Sequence, residues 1–247
     1  EFVEIQRFFD VENTLPEGME KTIFYVTRDS LMNQGVVFFG AMANQMYLRY
    51  LKKFKKMHFR RTPDFDVLAE DPDQTAKIVK DRLKRAGINN VKIKKKKGVG
   101  EILADHYEIL VNGETIVMIY KPLACHSYNM VKIKGRNIKI ATIDTMLSLY
   151  LAFMYIKRPY YDPNRIICMA EYLFKVQQYN RLSQRGILKR FSINCYGKQE
   201  TLIKIMEEKS KMYETLKRGT KKWNYYFLKY EPSRISKDKA LKKKNKT

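Results

Sequence analysis

VVFFGAMANQMYLRYLKKFKKMHFRRTPDFDVLAED, residues 36–71, is the stretch on which the reading of this chain turns. An apolar run at 36–39 reads as a strand, Gly40 as a tight turn, and residues 41 to about 54 as a helix. A basic connection then leads to a second short strand, residues 64–68. Side chains alternate along a strand, so Asp64 and Asp66 share one face while Phe65 and Val67 take the other. Two adjacent carboxylates repel unless a positive charge sits between them. A divalent cation is the usual answer, and a pair of them about 3.5–4 Å apart can clamp both oxygens of a phosphoryl displacement. Gly40 lets the chain turn into a helix whose N-terminal amides can face an anion.

Strand, small-residue turn, helix and then Asp-x-Asp resembles the nucleotidyltransferase superfamily, which includes DNA polymerase beta and the poly(A) polymerases. The usual Gly-Ser or Gly-Gly turn is Gly40-Ala41 here. The resemblance implies an α+β fold: a polymerase beta-like nucleotidyltransferase mixed sheet with helices, followed by a mainly α-helical second domain.

The 247 residues suffice for one large or two small domains, and a hydrophobic content of 45% supports a substantial core. Lys and Arg number 49 against 26 Asp and Glu, a net charge of +23. Such an excess points to polyanions, nucleic acid before anionic membrane. The basic C-terminal tail holds only part of it. Cys125, Cys168 and Cys195 are far apart, in neither a zinc nor a disulfide-framework spacing, and are read as free thiols in a reducing compartment. The longest apolar run, residues 140–156, contains Asp144 and falls short of the roughly 18–20 residues of a membrane span, so no membrane partner is expected. No secretory leader is read. The sequence begins at Glu1 rather than Met, as expected of an internal fragment or a trimmed start.

Along the chain, residues 21–26 read as a strand, and Thr27 to Ser30 as caps for a short helix. Asp71-Pro72-Asp73-Gln74 is a helix start, with Asp71 as N-cap, Pro72 at the first turn and Gln74 completing a capping box. Apolar positions at 76, 79, 83 and 86 share one face, and Gly87 suits the C-terminal stop. Residues 91–97 read as a strand ending in four lysines, among them Lys94 and Lys95; these serve either as a solvated edge that blocks strand pairing or as phosphate contacts. A hairpin is expected over residues 105–120, turning at Asn112-Gly113. A two-residue loop would set Glu108 opposite Val117. The superfamily's third carboxylate falls near Val117 when the hairpin is laid on poly(A) polymerases, so the chain departs from the pattern. Glu108 on the same face could supply the charge, with Asp105 and Glu114 as fallbacks. Cys125 and His126 are strand neighbours that point oppositely and are read as structural.

Gly135 reads as a domain boundary and the remainder as helical. Thr142 caps a helix of residues 143–156, apolar nearly all round and so read as a buried central helix. Arg158-Pro159 stops it, and Pro163 opens another that runs to about Asn180. Arg181, Arg185, Lys189 and Arg190 cluster around Gly186 near Phe191 and Tyr196. This mix suits single-stranded RNA or is a basic inter-helix loop. Residues 199–216 read as a charged surface helix with acid-first i,i+4 pairs. Trp223, Tyr225, Tyr226 and Phe227 are expected to dock the C-terminal segment.

With that half included the resemblance narrows. HYEI (106–109), PLACHSYN (122–129), KIATIDTMLSLYLAF (139–153), CMAEYLF (168–174), NRLSQRGILKRFSINCYGKQ (180–199) and FLKY (227–230) look like the poly(A) polymerase catalytic subunits of giant nucleocytoplasmic DNA viruses, the mimivirus and asfarvirus kind. It covers roughly residues 36–230 and implies a nucleotidyltransferase domain followed by a helical one. On this chain they are read over 31–135 and 136–230, after an N-terminal segment to residue 30 and before a basic tail over 231–247 whose charge run reads as disordered. It implies template-independent polyadenylation: the 3′-hydroxyl of an mRNA attacks the α-phosphate of ATP and pyrophosphate leaves. Asp64, Asp66 and a third acid, Glu108, would hold Mg²⁺ or Mn²⁺, and Gly40, Ala41 and the helix start near Asn44 would hold phosphates. Arg181, Arg185, Lys189, Arg190, Lys94 and Lys95 would contact the RNA. The resemblance also implies a homodimer, working in the virion and the cytoplasmic viral factory, and proteins longer than this chain. The alternatives are a catalytically silent RNA-binding or dimer-supporting subunit, another terminal nucleotidyltransferase, or a basic packaging protein.

Overall fold

The computed structural model of the chain describes residues 18–48, 50–51, 64–99, 102–133, 135–156, 158, 161–190, 192–220, 222–223 and 227. The two compact units are residues 1–199 and residues 200–247. The first is an α+β unit. Its elements in order are α1 (Met19–Asn33), β1 (Val37–Phe39), α2 (Gly40–Leu48), β2 (Phe65–Leu68), α3 (Pro72–Arg85), β3 (Val91–Lys96), β4 (His106–Val111), β5 (Glu114–Tyr120), β6 (His126–Ile133), β7 (Arg136–Ala141), α4 (Ile143–Ile156), α5 (Pro163–Tyr179) and β8 (Cys195–Tyr196). The eight strands form one mixed sheet in the order β3-β4-β5-β2-β1-β7-β6-β8. β1 runs antiparallel to β2 and parallel to β7, and β2 runs parallel to β5.

The register sorts side chains onto the two faces of the sheet. Asp66 is level with Phe39 on β1 and Met118 on β5, and Met118 is level with Glu108 on β4. That row therefore shares one face. Tyr120 lies on the same face, and Phe153 of α4 packs over it with tilted rings, its centroid 6.3 Å from Phe39 and 5.4 Å from Tyr120. The opposite face carries Phe65, Val67, Val117 and Ile119, all buried, and Phe24 of α1 meets Phe65 at 5.1 Å. α3 packs on α1 and on β3, β4 and β5. Its start is as the sequence predicts: the Gln74 N–H donates to Asp71 Oδ1 at 3.0 Å, Pro72 opens the first turn, and Gly87 follows at φ +86°.

Several expectations are corrected. Residues 21–26 lie inside α1; Phe24, Thr27 and Leu31 are its buried stripe, a helical spacing that outweighs the β-branched composition. Gly135, at φ +78°, lies between β6 and β7, which pair as a hairpin. The alternation of Lys and Ile over residues 131–140 is its period-2 signature. α4 is not buried all round, since Leu151 and Tyr155 are 65% and 72% exposed. The three-thiol reading fails as well. β6 pairs antiparallel with β8, His126 opposite Tyr196 and Ser127 opposite Cys195. That pairing brings Cys125 within disulfide reach of Cys195 across 70 residues, and the two are bonded with Cα atoms 5.2 Å apart; Cys168 is free and exposed. A bridge between strands so far apart in sequence leaves no mark in cysteine spacing.

The second unit contains α6 (Leu202–Thr215), capped by Thr201, whose hydroxyl accepts from the Lys204 N–H at 3.3 Å. It buries none of its own residues, as expected of a surface helix, and Phe227 packs edge-on against Tyr213. Tyr225, Tyr226 and the basic tail lie outside the described residues. No described helix is long and apolar enough to cross a membrane.

Candidate active site

Asp64 and Asp66 line a pocket of about 280 Å³ together with Gly40, Ala41, Lys96, Glu108, Arg165 and a wall of Tyr120, Phe153 and Tyr161. The glycine turn places the first two. β1 ends at Phe39, level with Asp66, and the chain enters α2 at Gly40 with φ +68°. Only a residue without a Cβ fits there, because a Cβ would overlap the Asp66 carboxyl. Ala41, the next residue, donates its backbone N–H to that carboxylate. The amide expected to meet a phosphate is thus engaged by Asp66.

The electrostatics are those of a like-charge pair. Burial pushes the Asp66 carboxyl well above the usual range and the neighbouring Asp64 charge raises it further, while Arg165 and the Ala41 N–H oppose the shift. Arg165, in the first turn of α5, went unnoticed in the sequence. That turn is fixed by Asp162, whose Oδ1 accepts from the Asn164 N–H at 3.0 Å, ahead of Pro163. The Asp-Pro-x-Arg start was the available signal, but only the packing of α5 over the sheet brings Arg165 to residues a hundred positions earlier. Asn44 plays a part other than the expected one. α2 starts at Gly40, so Asn44 lies in its second turn; it is 2% exposed and its Nδ2 donates to the Tyr150 hydroxyl at 2.7 Å.

The third-acid expectation needs correcting in register. The Asn112-Gly113 turn forms as predicted, both residues at positive φ, and Val111 faces Glu114. A bulge then shifts the ladder, so Ile109 faces Val117 and Glu108 faces Met118. Val117 pairs with Phe65 on the opposite face. The strand position beside Asp66 belongs to Met118, which has no oxygen to offer. Glu108 does reach the pocket, but both its oxygens are taken: Oε2 lies 3.0 Å from Lys96 Nζ, and Oε1 accepts from the Thr115 hydroxyl at 2.5 Å. Burial works to raise its pKa, but Thr115, Lys96 and Lys94 outweigh it and hold the carboxyl below its ordinary value. The fallbacks are elsewhere. Asp105 is bound by the Gly98 N–H at 2.8 Å and by Lys95 at 3.0 Å, and Glu114 is exposed.

The chemistry of this donor set suits one divalent cation between Asp64 and Asp66, both oxygen donors. For the second cation of a pair it is poor: Glu108 is held by Lys96 and Thr115, and Asp162, which also lines the pocket, caps α5. Among the described residues no group of three or more His, Cys, Asp or Glu is placed to hold a metal.

The expected RNA contacts divide. On β3, Lys94 and Lys96 alternate onto the pocket face, whereas Lys95 points to the other and pairs with Asp105. Arg181, Arg185 and Lys189 are exposed beside the 3₁₀ turn Gly186–Leu188. That turn is anchored: Tyr47 Oη and Asn129 Nδ2 donate to the Ile187 carbonyl at 3.1 and 3.0 Å, and Asn129 also reaches the Lys189 carbonyl at 2.8 Å. Arg190 is half-buried, with Nη2 3.4 Å from Asp144 Oδ1.

A mixed sheet that sets an Asp-x-Asp strand beside a glycine turn and a helix start is the nucleotidyltransferase fold. Among solved structures the chain is similar to Megavirus polyadenylate synthase, with a TM-score of 0.57 and 13% identity over 98% of this chain. The match spans 49% of the Megavirus chain, so this sequence corresponds to about half of that protein. An antigenic nucleotidyltransferase-like protein from Paracoccidioides brasiliensis (12% identity, 66% of this chain and 79% of that one) and ANT(2")-Ia in complex with adenylyl-2"-tobramycin (12% identity, 65% and 94%) also align, at TM-scores of 0.37 and 0.36, too low to bear on the fold. No protein-family model matches, and no curated protein matches the sequence.

Proposed function

We propose that the chain transfers AMP from ATP to the 3′-hydroxyl of an RNA, without a template, and releases pyrophosphate. The observation that carries this reading is the placing of Asp64 and Asp66 in one pocket with the Gly40 turn and the Arg165 guanidinium. In the reaction the hydroxyl oxygen forms a bond to the α-phosphorus, and the bond to the bridging oxygen of pyrophosphate breaks. Pyrophosphate leaves with the electron pair, and the hydroxyl proton goes to solvent. Asp64 and Asp66 would hold Mg²⁺ or Mn²⁺, which supplies positive charge to the phosphates being exchanged. Arg165 offers further charge to the triphosphate, and the Tyr120–Phe153–Tyr161 wall offers flat apolar surface to the base. Arg181, Arg185 and Lys189 would hold the RNA backbone. The reading includes the homodimer and the viral setting that the sequence resemblance implies.

A second reading, a catalytically silent RNA-binding subunit, is favoured by the lining of the pocket: Met118 occupies the strand position beside Asp66, and Lys96 engages Glu108. Incorporation of labelled ATP on an oligo(A) primer, with Mg²⁺ or Mn²⁺ and against the other three nucleotides, decides between them. Selective AMP incorporation supports polyadenylation. Indiscriminate incorporation supports another terminal transferase, and intact RNA binding without incorporation supports the silent subunit.

A further inference from the structure

We infer that this pocket takes a nucleoside triphosphate with a single divalent cation, and that the Lys96 ammonium supplies the positive charge that a second cation would bring. The inference rests on the nucleotide-binding part of the reading above. Three observations carry it. Asp66 is level with Met118, so the strand next to the acidic pair presents a thioether where an oxygen ligand would be needed. Glu108, the one pocket-lining acid on the β4–β5 hairpin, has an ammonium at 3.0 Å on one oxygen and a hydroxyl at 2.5 Å on the other. A cation arriving there would meet a cation already in place, and like charges at such range repel strongly in a partly enclosed site.

The third observation is the placing of Lys96. It ends β3, level with His106, and its side chain lines the same pocket as Asp64 and Asp66, 30% exposed. Lysine is a compact point charge on a flexible stem and a common phosphate ligand. Glu108 and Thr115 fix the resting place of this one. Lys96 can then keep Glu108 as its counter-ion and still present its positive charge to the triphosphate in the same pocket. On this account Glu108 positions Lys96 and binds no metal.

The test counts bound Mn²⁺ on the full chain by the loss of the free-ion electron paramagnetic resonance signal, with α,β-methylene-ATP as the non-reacting nucleotide. One Mn²⁺ per nucleotide-loaded chain is expected. Lys96→Met should weaken nucleotide binding by about tenfold or more, with Lys96→Arg restoring part of it and melting curves showing each variant folded. Lys96→Met combined with Met118→Asp should add a second Mn²⁺. Two Mn²⁺ per wild-type chain would overturn the single-cation inference and leave the nucleotide reading standing; this measurement needs no variant. Failure of the wild type to bind the nucleotide with Mn²⁺ would overturn both.

Discussion

Gly40 and Asp66 interlock. Residue 40 turns the chain at φ +68° from β1 into α2, and a Cβ there would fall on the Asp66 carboxyl, Cγ and Cβ. Since Phe39 and Asp66 are level on paired strands, neither can give way without moving the other. Gly40→Ala should therefore damage the site more than the fold. A non-glycine residue in the left-handed region costs about 1–3 kcal/mol, and the overlap would turn the Asp66 side chain out of place. The expected result is a melting temperature lower by roughly 2–12 °C, from about 1–3 kcal/mol at about 2–4 °C per kcal/mol for a chain of this size. Metal-dependent nucleotide binding should be lost. A Gly40→Ala variant that binds nucleotide with wild-type affinity would dissolve the link between the turn and the acid.

Asp66 itself should weigh against stability. Burial and then the Asp64 charge raise its pKa well above the ordinary 3.8. A group whose folded pKa is raised contributes stability that is fully present below the unfolded value and is lost as pH rises through the folded value. At pH 7, well above the unfolded value, Asp66 thus opposes folding. Asp66→Asn should melt higher than wild type at pH 7, with the gap closing as pH falls toward about 4. Incorporation should meanwhile drop by orders of magnitude, as it should for Asp64→Ala. Differential scanning fluorimetry across pH checks the first half. An Asp66→Asn variant that melts below wild type at pH 7 would contradict it.

How far the site could be read from the chain follows from the range of the contacts. The Asp64–Asp66 pair, the Gly40 turn and the Asp71 cap are local patterns, and each sits where alternation and capping chemistry put it. The Asn112-Gly113 turn was equally local, but the bulge beyond it depends on how β5 meets both β4 and β2. That shift exchanged Val117 for Met118 beside Asp66, because a one-residue slip reverses every face. Arg165, the Lys96–Glu108 pair and the Cys125–Cys195 bridge are long-range or cross-strand contacts for which periodicity has no signal. The β6–β7 hairpin differs. Its Lys/Ile alternation is visible in the sequence, but the helical run after Gly135 makes that turn look like a boundary.

The Cys125–Cys195 bridge makes a thiol count decisive. Protein purified without reductant and unfolded in denaturant should react with one equivalent of thiol reagent, from Cys168; three equivalents would mean that the bridge is absent. Closing a loop of 70 residues constrains the unfolded chain by roughly 4 kcal/mol in the chain-entropy account, an upper figure in practice. Cys125→Ser or Cys195→Ser should lower stability by about 2–4 kcal/mol. The double variant should lose no more than either single one, since all three remove the same bond.

The exposed cations after α5 give the sharpest check of RNA contact. Arg181, Arg185 and Lys189 surround a turn whose Ile187 and Leu188 are buried and whose carbonyls are held by Tyr47 and Asn129. The backbone that presents them is therefore fixed to the core, and their removal should leave the fold intact. Arg190 is different: it is half-buried beside Asp144, so its loss would mix charge with packing. Each phosphate neutralised on a single strand contributes about −0.7 to the slope of log affinity against log salt. If all three cations contact phosphates, replacing them with Ser should make the slope shallower by about 2. Replacing Lys95, which pairs with Asp105 on the face away from the pocket, should leave it unchanged. Fluorescence anisotropy of a labelled oligo(A) strand at several salt concentrations measures both. A triple variant with the wild-type slope would move the RNA path away from this turn, and Lys94, exposed on the pocket face of β3, would be the next cation to replace.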